Sequence, residues 1–129
     1  MNRALLDTSV VIALARGEDL SLQDSPSEAA ISAVTLCGLH YGVLIADDRQ
    51  RPGRLATLAF TERRFAVLPV DARVSPHYGR LAAGARRAGR RRLATADALI
   101  AATAAAHGLP LLTRDRDFEL MEGIDVVLV

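Results

Sequence analysis

Five short apolar runs, of three to six residues each, recur along this chain with helix-like stretches between them, and that alternation restricts the folds open to it. The runs cover residues 3–6, 29–34, 65–70, 111–113 and 126–129. A strand buried on both faces reads as a continuous apolar run, whereas a strand with one wet face alternates. Helical patterning is expected over 10–15, with Thr8 or Ser9 as cap and Gly17 as stop, and from Thr35 to about residue 46. Further helices are expected over 54–64, 76–88 (closed by Gly89) and 97–107 (stopped by Gly108-Leu109-Pro110), with a short turn beginning at Phe118. Helices separating short all-apolar strands predict an α/β domain with a central, mainly parallel, helix-covered sheet rather than a sandwich. The pattern does not give the strand order.

The 129 residues are expected to form one domain over 1–129, and 50% hydrophobic with 24% charged residues places them among globular chains. The start of the chain has no basic region followed by a long apolar core, because Asp7 interrupts the only early apolar run. The alanine-rich stretch 98–106 is too short to cross a bilayer, which takes about 20 apolar residues. No membrane partner is expected, and a single cysteine, Cys37, fits a reducing, cytoplasmic setting. Cys37 reads as a small buried hydrophobe, His40 as a packed core residue, and His107 as a helix C-terminal residue favoured by the macrodipole.

Asp7 closes the first run, Asp115 follows the fourth, and Asp97 opens the helix that leads into it. In open α/β sheets ligands collect beyond the carboxyl ends of the strands, so these three acids are candidates for one pocket. Carboxylate oxygens suit Mg²⁺ or Mn²⁺, and a divalent ion among them makes phosphodiester hydrolysis by activated water a chemistry open to the chain. Each acid also has a local explanation: Asp7 as a helix cap, Asp97 as a favourable charge at a helix N-terminus, Asp115 and Asp117 as turn residues beside Arg114 and Arg116.

All 16 basic residues are arginine, and Arg86, Arg87, Arg90, Arg91 and Arg92 crowd into the span 86–92 while the net charge is only +1. Arginine forks onto phosphate, so the cluster is a candidate contact for an RNA backbone; a solvated helix end is the alternative. No phosphate loop or dinucleotide fingerprint follows the first strand, and no Trp with 4% aromatic residues argues against a base-stacking platform.

Four stretches in order carry a resemblance: Leu5-Leu6-Asp7-Thr8-Ser9-Val10-Val11-Ile12; Tyr78-Gly79-Arg80-Leu81; Asp97-Ala98-Leu99-Ile100-Ala101-Ala102-Thr103-Ala104; and Leu112-Thr113-Arg114-Asp115-Arg116-Asp117-Phe118. Together they resemble the PIN-domain proteins of the VapC toxin family over nearly the whole chain. The resemblance implies a three-layer α/β/α PIN-like domain, an Mg²⁺- or Mn²⁺-dependent endoribonuclease, and the toxin half of a toxin–antitoxin pair. It further implies a VapB-like antitoxin partner, an RNA substrate and a homodimer. It makes Asp7, Asp97 and Asp115 metal-site acids, Asp117 a further ligand or supporting acid, and Thr8, Ser9 and Thr113 residues that orient ligands or water.

One position departs from the family. A glutamate in a Leu-x-Glu-Leu context follows the second strand there, and Gly38 takes its place in Thr35-Leu36-Cys37-Gly38-Leu39. Glycine provides no ligand and weakens a helix, so the expectation is a nuclease pocket lacking one acid and weakened or inactive. The change is either a selected inactivation, a natural degeneration, or a vacancy filled from elsewhere. Asp47 and Asp48 lie more than two helical turns from position 38 and are too far along the helix to fill it. Two other functions stay open: a non-catalytic PIN-like scaffold that binds RNA or an antitoxin, and a DNA or flap nuclease, which ordinarily needs a larger chain.

Overall fold

Ala4, Leu5 and Leu6 are all buried, yet they serve two different cores, because successive strand side chains point to opposite faces of a sheet. In the computed structural model, which describes residues 2–20, 26–89 and 94–129, Leu5 packs with Leu81, Ile100, Ala101, Leu111 and Phe118, while Ala4 and Leu6 pack with Val10, Val11, Ile31 and Leu112. A sheet buried on both sides needs helices on both sides, giving the three-layer arrangement.

The strands are β1 (Arg3–Leu6), β2 (Glu28–Ser32), β3 (Ala66–Leu68), β4 (Leu111–Thr113) and β5 (Val126–Leu128). The helices are α1 (Thr8–Ala15), α2 (Ala33–Ile45), α3 (Arg51–Arg64), α4 (Ser75–Arg87) and α5 (Thr95–Ala106), with a 3₁₀ turn at Arg116–Leu120. The sheet runs β3-β2-β1-β4-β5, and every pairing between these strands is parallel. From β1 the chain winds outward through β2 to β3, then returns across the sheet to β4 and β5 on the other side of β1. The gap between the carboxyl ends of β1 and β4 is therefore the topological switch point, where such sheets bind ligands.

The α/β expectation holds, with adjustments that have local causes. The second strand ends at Ser32 rather than residue 34, since the Ser32 hydroxyl accepts a hydrogen bond from Val34 N at 3.2 Å and caps α2. Position Ncap of α1 is Asp7, not Thr8 or Ser9. Gly17, just past α1, and Gly108, just past α5, have φ of 75° and 62°, the left-handed conformation that ends a helix and suits glycine.

The expectation for α2 needs two corrections. Thr35 is its only buried residue; Cys37 is exposed rather than a buried hydrophobe, and His40 is exposed, 3.8 Å from Glu62 of α3, rather than packed in a core. The cause is that α2 turns Leu36 and Leu39 to the core and pairs with α3 through His40 and Gly42, leaving its remaining face to water. Its apolar composition all round then leaves Tyr41 (64% exposed), Leu44 (81%) and Ile45 (59%) open on the surface. A helix apolar on every side cannot show by periodicity which side will be covered.

Candidate active site

Asp7 follows the central strand directly, its amide bonded to Leu112 O of β4 at 2.9 Å, so the sheet ladder itself fixes where the side chain emerges. Its main chain caps α1 by accepting from Val10 N and Val11 N, but its carboxylate makes no capping bond. Asp7 is only 5% exposed, and its Oδ2 accepts from the Ser9 hydroxyl and the Thr113 hydroxyl, each at 2.8 Å. The helix-cap explanation therefore accounts for the backbone of Asp7 and not for its acid. A carboxylate this buried is costly unless its charge is used or compensated, and two neutral hydroxyls compensate it only in part.

The network extends from there. Thr113 Oγ1 accepts from Asp115 N at 3.0 Å, Ser9 Oγ accepts from Arg114 N at 3.3 Å, and Asp115 Oδ1 accepts from Asp117 N at 2.9 Å. Asp115 thus caps the 3₁₀ turn, as a turn residue would, while remaining tied through Thr113 to Asp7. Thr8 takes a different partner: its hydroxyl lies 3.0 Å from that of Thr35 in α2.

Asp97 sits in the first turn of α5. Burial, followed by the negative charges of Asp7, Asp115 and Asp117, holds its carboxyl above the ordinary aspartate value of 3.8. The sequence placed three acids and a fourth candidate at one sheet edge, and the structure brings them within electrostatic reach of one another. Between the ordinary and the raised value the folded chain binds more protons than the unfolded one, so this carboxyl makes stability fall as pH rises through that window. Asp97→Asn is accordingly expected to melt higher than the parent at pH 7 without divalent ions, the two converging below pH 3.8; differential scanning fluorimetry across pH checks this.

The donor set consists of hard carboxylate and hydroxyl oxygens, which fits Mg²⁺ or Mn²⁺ and not softer metals. Among the described residues no group of three or more His, Cys, Asp or Glu side chains is arranged to hold a metal ion. The four acids therefore do not form a closed cage; Mg²⁺ ordinarily takes one or two protein carboxylates and fills its shell with water.

Gly38 lies one turn after Thr35 on α2, a spacing that places both on one side of the helix, and Thr35 touches Thr8, the neighbour of Asp7. A Cβ added at Gly38 meets nothing within 4 Å. Arg86 and Arg87 are exposed in the last turn of α4. Arg90, Arg91 and Arg92 lie outside the described residues. Thr35 and the Glu18–Arg114 ion pair at 2.7 Å were not legible as parts of this site. A lone threonine in the first turn of an apolar helix was the one signal available for Thr35.

The PIN domain profile matches residues 4–124. Ribonuclease VapC4 of Mycobacterium tuberculosis is 34% identical over 129 residues, covering 100% of this chain and 98% of that protein. Ribonuclease VapC5 of the same organism is 39% identical over 120 residues, covering 92% and 87%. Among solved structures, a VapBC-5 toxin–antitoxin crystal structure from M. tuberculosis superposes with a TM-score of 0.78 at 34% identity, covering 100% of this chain and 98% of the matched chain. A DNA-bound VapBC structure from Salmonella typhimurium gives a TM-score of 0.82 at 27% identity, covering 99% and 98%. The fold and the acid-lined switch point define a member of the PIN-domain family, and the chain belongs to its VapC branch.

Proposed function

We propose that this chain is the toxin of a VapBC-type toxin–antitoxin pair, a divalent-metal-dependent endoribonuclease whose pocket is weakened by Gly38. The observation that carries the reading is the Asp7 carboxylate, buried at the switch point and held by Ser9 and Thr113 instead of capping its helix. Five of the six relatives compared are at least 34% identical over at least 78% of this chain, and all six are named ribonucleases, which supports the same chemistry.

Asp7 together with Asp97 or Asp115 would hold the ion, with water completing its shell and Asp117 in support. When bound, Mg²⁺ or Mn²⁺ supplies a Lewis acid that acidifies water and neutralises charge on the phosphodiester. The chain's own residues do the rest. Ser9 and Thr113 fix the direction of the Asp7 carboxylate, and a bound cation would offset the crowding of negative charge that raises the proton affinity of Asp97. Arg86 and Arg87 provide phosphate-binding charge at the α4 end, where arginine forks suit a backbone. No side-chain nucleophile is needed.

Incubation of structured RNA and of matched DNA with Mg²⁺, then with chelator, tests the reading on this chain and on Gly38→Glu. Chelator-sensitive cleavage of RNA by Gly38→Glu supports it. Cleavage of DNA in preference to RNA would contradict it, and binding without cleavage by both proteins favours the scaffold alternative.

The partners follow from the same reading: a VapB-like antitoxin and a second copy of the chain. The exposed apolar residues Tyr41, Leu44 and Ile45 on α2 support a protein-covered face there. Leu44→Glu is expected to leave thermal stability unchanged and to weaken antitoxin binding by about 30-fold, the effect of losing one hot-spot side chain. Calorimetric titration with the antitoxin checks it, and unchanged affinity would move the contact elsewhere.

A further inference from the structure

Glu18 and Arg114 form the shortest ion pair among the described residues, Arg114 Nη1 lying 2.7 Å from Glu18 Oε2, with the others between 3.0 and 3.8 Å. The pair joins the segment after α1 to the loop that carries the acids. Arg114 stands between Thr113, which holds Asp7, and Asp115. The main chain there is already fixed without the guanidinium, because the Arg114 amide donates to Ser9 Oγ and the Asp115 amide donates to Thr113 Oγ1.

What the guanidinium does instead follows from charge. Arginine is permanently cationic, long, and shaped to grip carboxylates with two donors. In sequence it adjoins a pocket of four aspartates. A guanidinium folded into that pocket would cancel the charge a divalent cation needs. Glu18 offers a competing carboxylate outside the pocket, and Arg114 is turned onto it at 2.7 Å. We propose that Glu18 is a positioning residue that holds Arg114 out of the acid pocket and so keeps the pocket's charge available to a divalent cation. The inference rests on the metal-site reading given above.

A simple loop brace would behave differently. If the pair merely ties the loop to α1, losing either partner weakens the site equally and losing both brings no recovery. If Glu18 restrains Arg114, Glu18→Gln alone is harmful and removing Arg114 as well repairs it. The experiment is Mn²⁺ titration of the full chain followed by electron paramagnetic resonance, on the parent, Glu18→Gln, Arg114→Gln and the double variant. Glu18→Gln is expected to bind Mn²⁺ more weakly by about fivefold, the upper range for an exposed ion pair. Arg114→Gln should bind at least as tightly as the parent, and the double variant should recover parental affinity. Equal weakening by both single variants, or no recovery in the double variant, would overturn the proposal. A metal-free readout separates it from the metal-site reading: in NMR spectra, Arg114 Hε should contact Glu18 in the parent and the Asp115–Asp117 loop in Glu18→Gln. If the parent takes up no Mn²⁺ the metal site is refuted, while an Arg114 that stays in solvent in Glu18→Gln refutes the role of Glu18.

Discussion

Gly38→Glu is expected to raise Mg²⁺-dependent cleavage of structured RNA by about 100-fold over the present chain, the upper range for restoring a group that tunes a metal site. The position permits it: an added Cβ meets nothing within 4 Å, so the side chain enters open space without rearranging α2. The position also shares a side of α2 with Thr35, which one turn earlier is anchored to Thr8 beside Asp7. Two effects on stability oppose each other. Replacing a mid-helix glycine favours the helix by up to about 1 kcal/mol, while a further acid beside four aspartates repels them until a cation binds. The gain in melting temperature should therefore be larger with Mg²⁺ than without it. A time course of cleavage with Mg²⁺ and with chelator measures the main effect, and no gain over the present chain would show that position 38 is not the missing acid.

In the Gly38→Glu background, Asp7→Asn is expected to abolish that gain, lowering cleavage by at least about 100-fold while leaving the fold intact. Asparagine keeps an oxygen that can accept from Ser9 and Thr113, so the hydrogen bonds seen at Oδ2 have a successor. What is lost is the negative charge, buried at 5% exposure, and with it the attraction for a divalent ion. Removing one of several crowded acids relieves repulsion, so urea unfolding without metal should find the variant no less stable than its parent. Activity lost together with stability would instead make Asp7 a structural residue.

Much of this site could be read from the chain because its acids sit at punctuation points. Asp7 ends an apolar run and Asp97 opens an alanine-rich helix, and such boundaries are local properties of sequence. The strand order was not legible, because it depends on which way each crossover turns and on long-range pairing such as Leu5 with Leu111. The exposure of Cys37 and His40 was missed for a related reason: α2 is apolar on all sides, and only its pairing with α3 decides which side meets water. Glu18 and Arg114 belong to segments far apart in sequence, and no local pattern joins them. The Asp7 carboxylate shows the limit most clearly. Helix capping and site chemistry predict the same residue at the same place, and only the hydrogen bonds to Ser9 and Thr113 separate them.

We propose the switch point between β1 and β4 as a divalent-metal site. Crystals soaked in Mn²⁺ and measured at the manganese absorption edge test it directly. An anomalous peak is expected within coordinating distance of Asp7 and of Asp97 or Asp115, lost in Asp7→Asn. Full Mn²⁺ exposure that yields no peak there, or a peak only at surface carboxylates elsewhere, would contradict it.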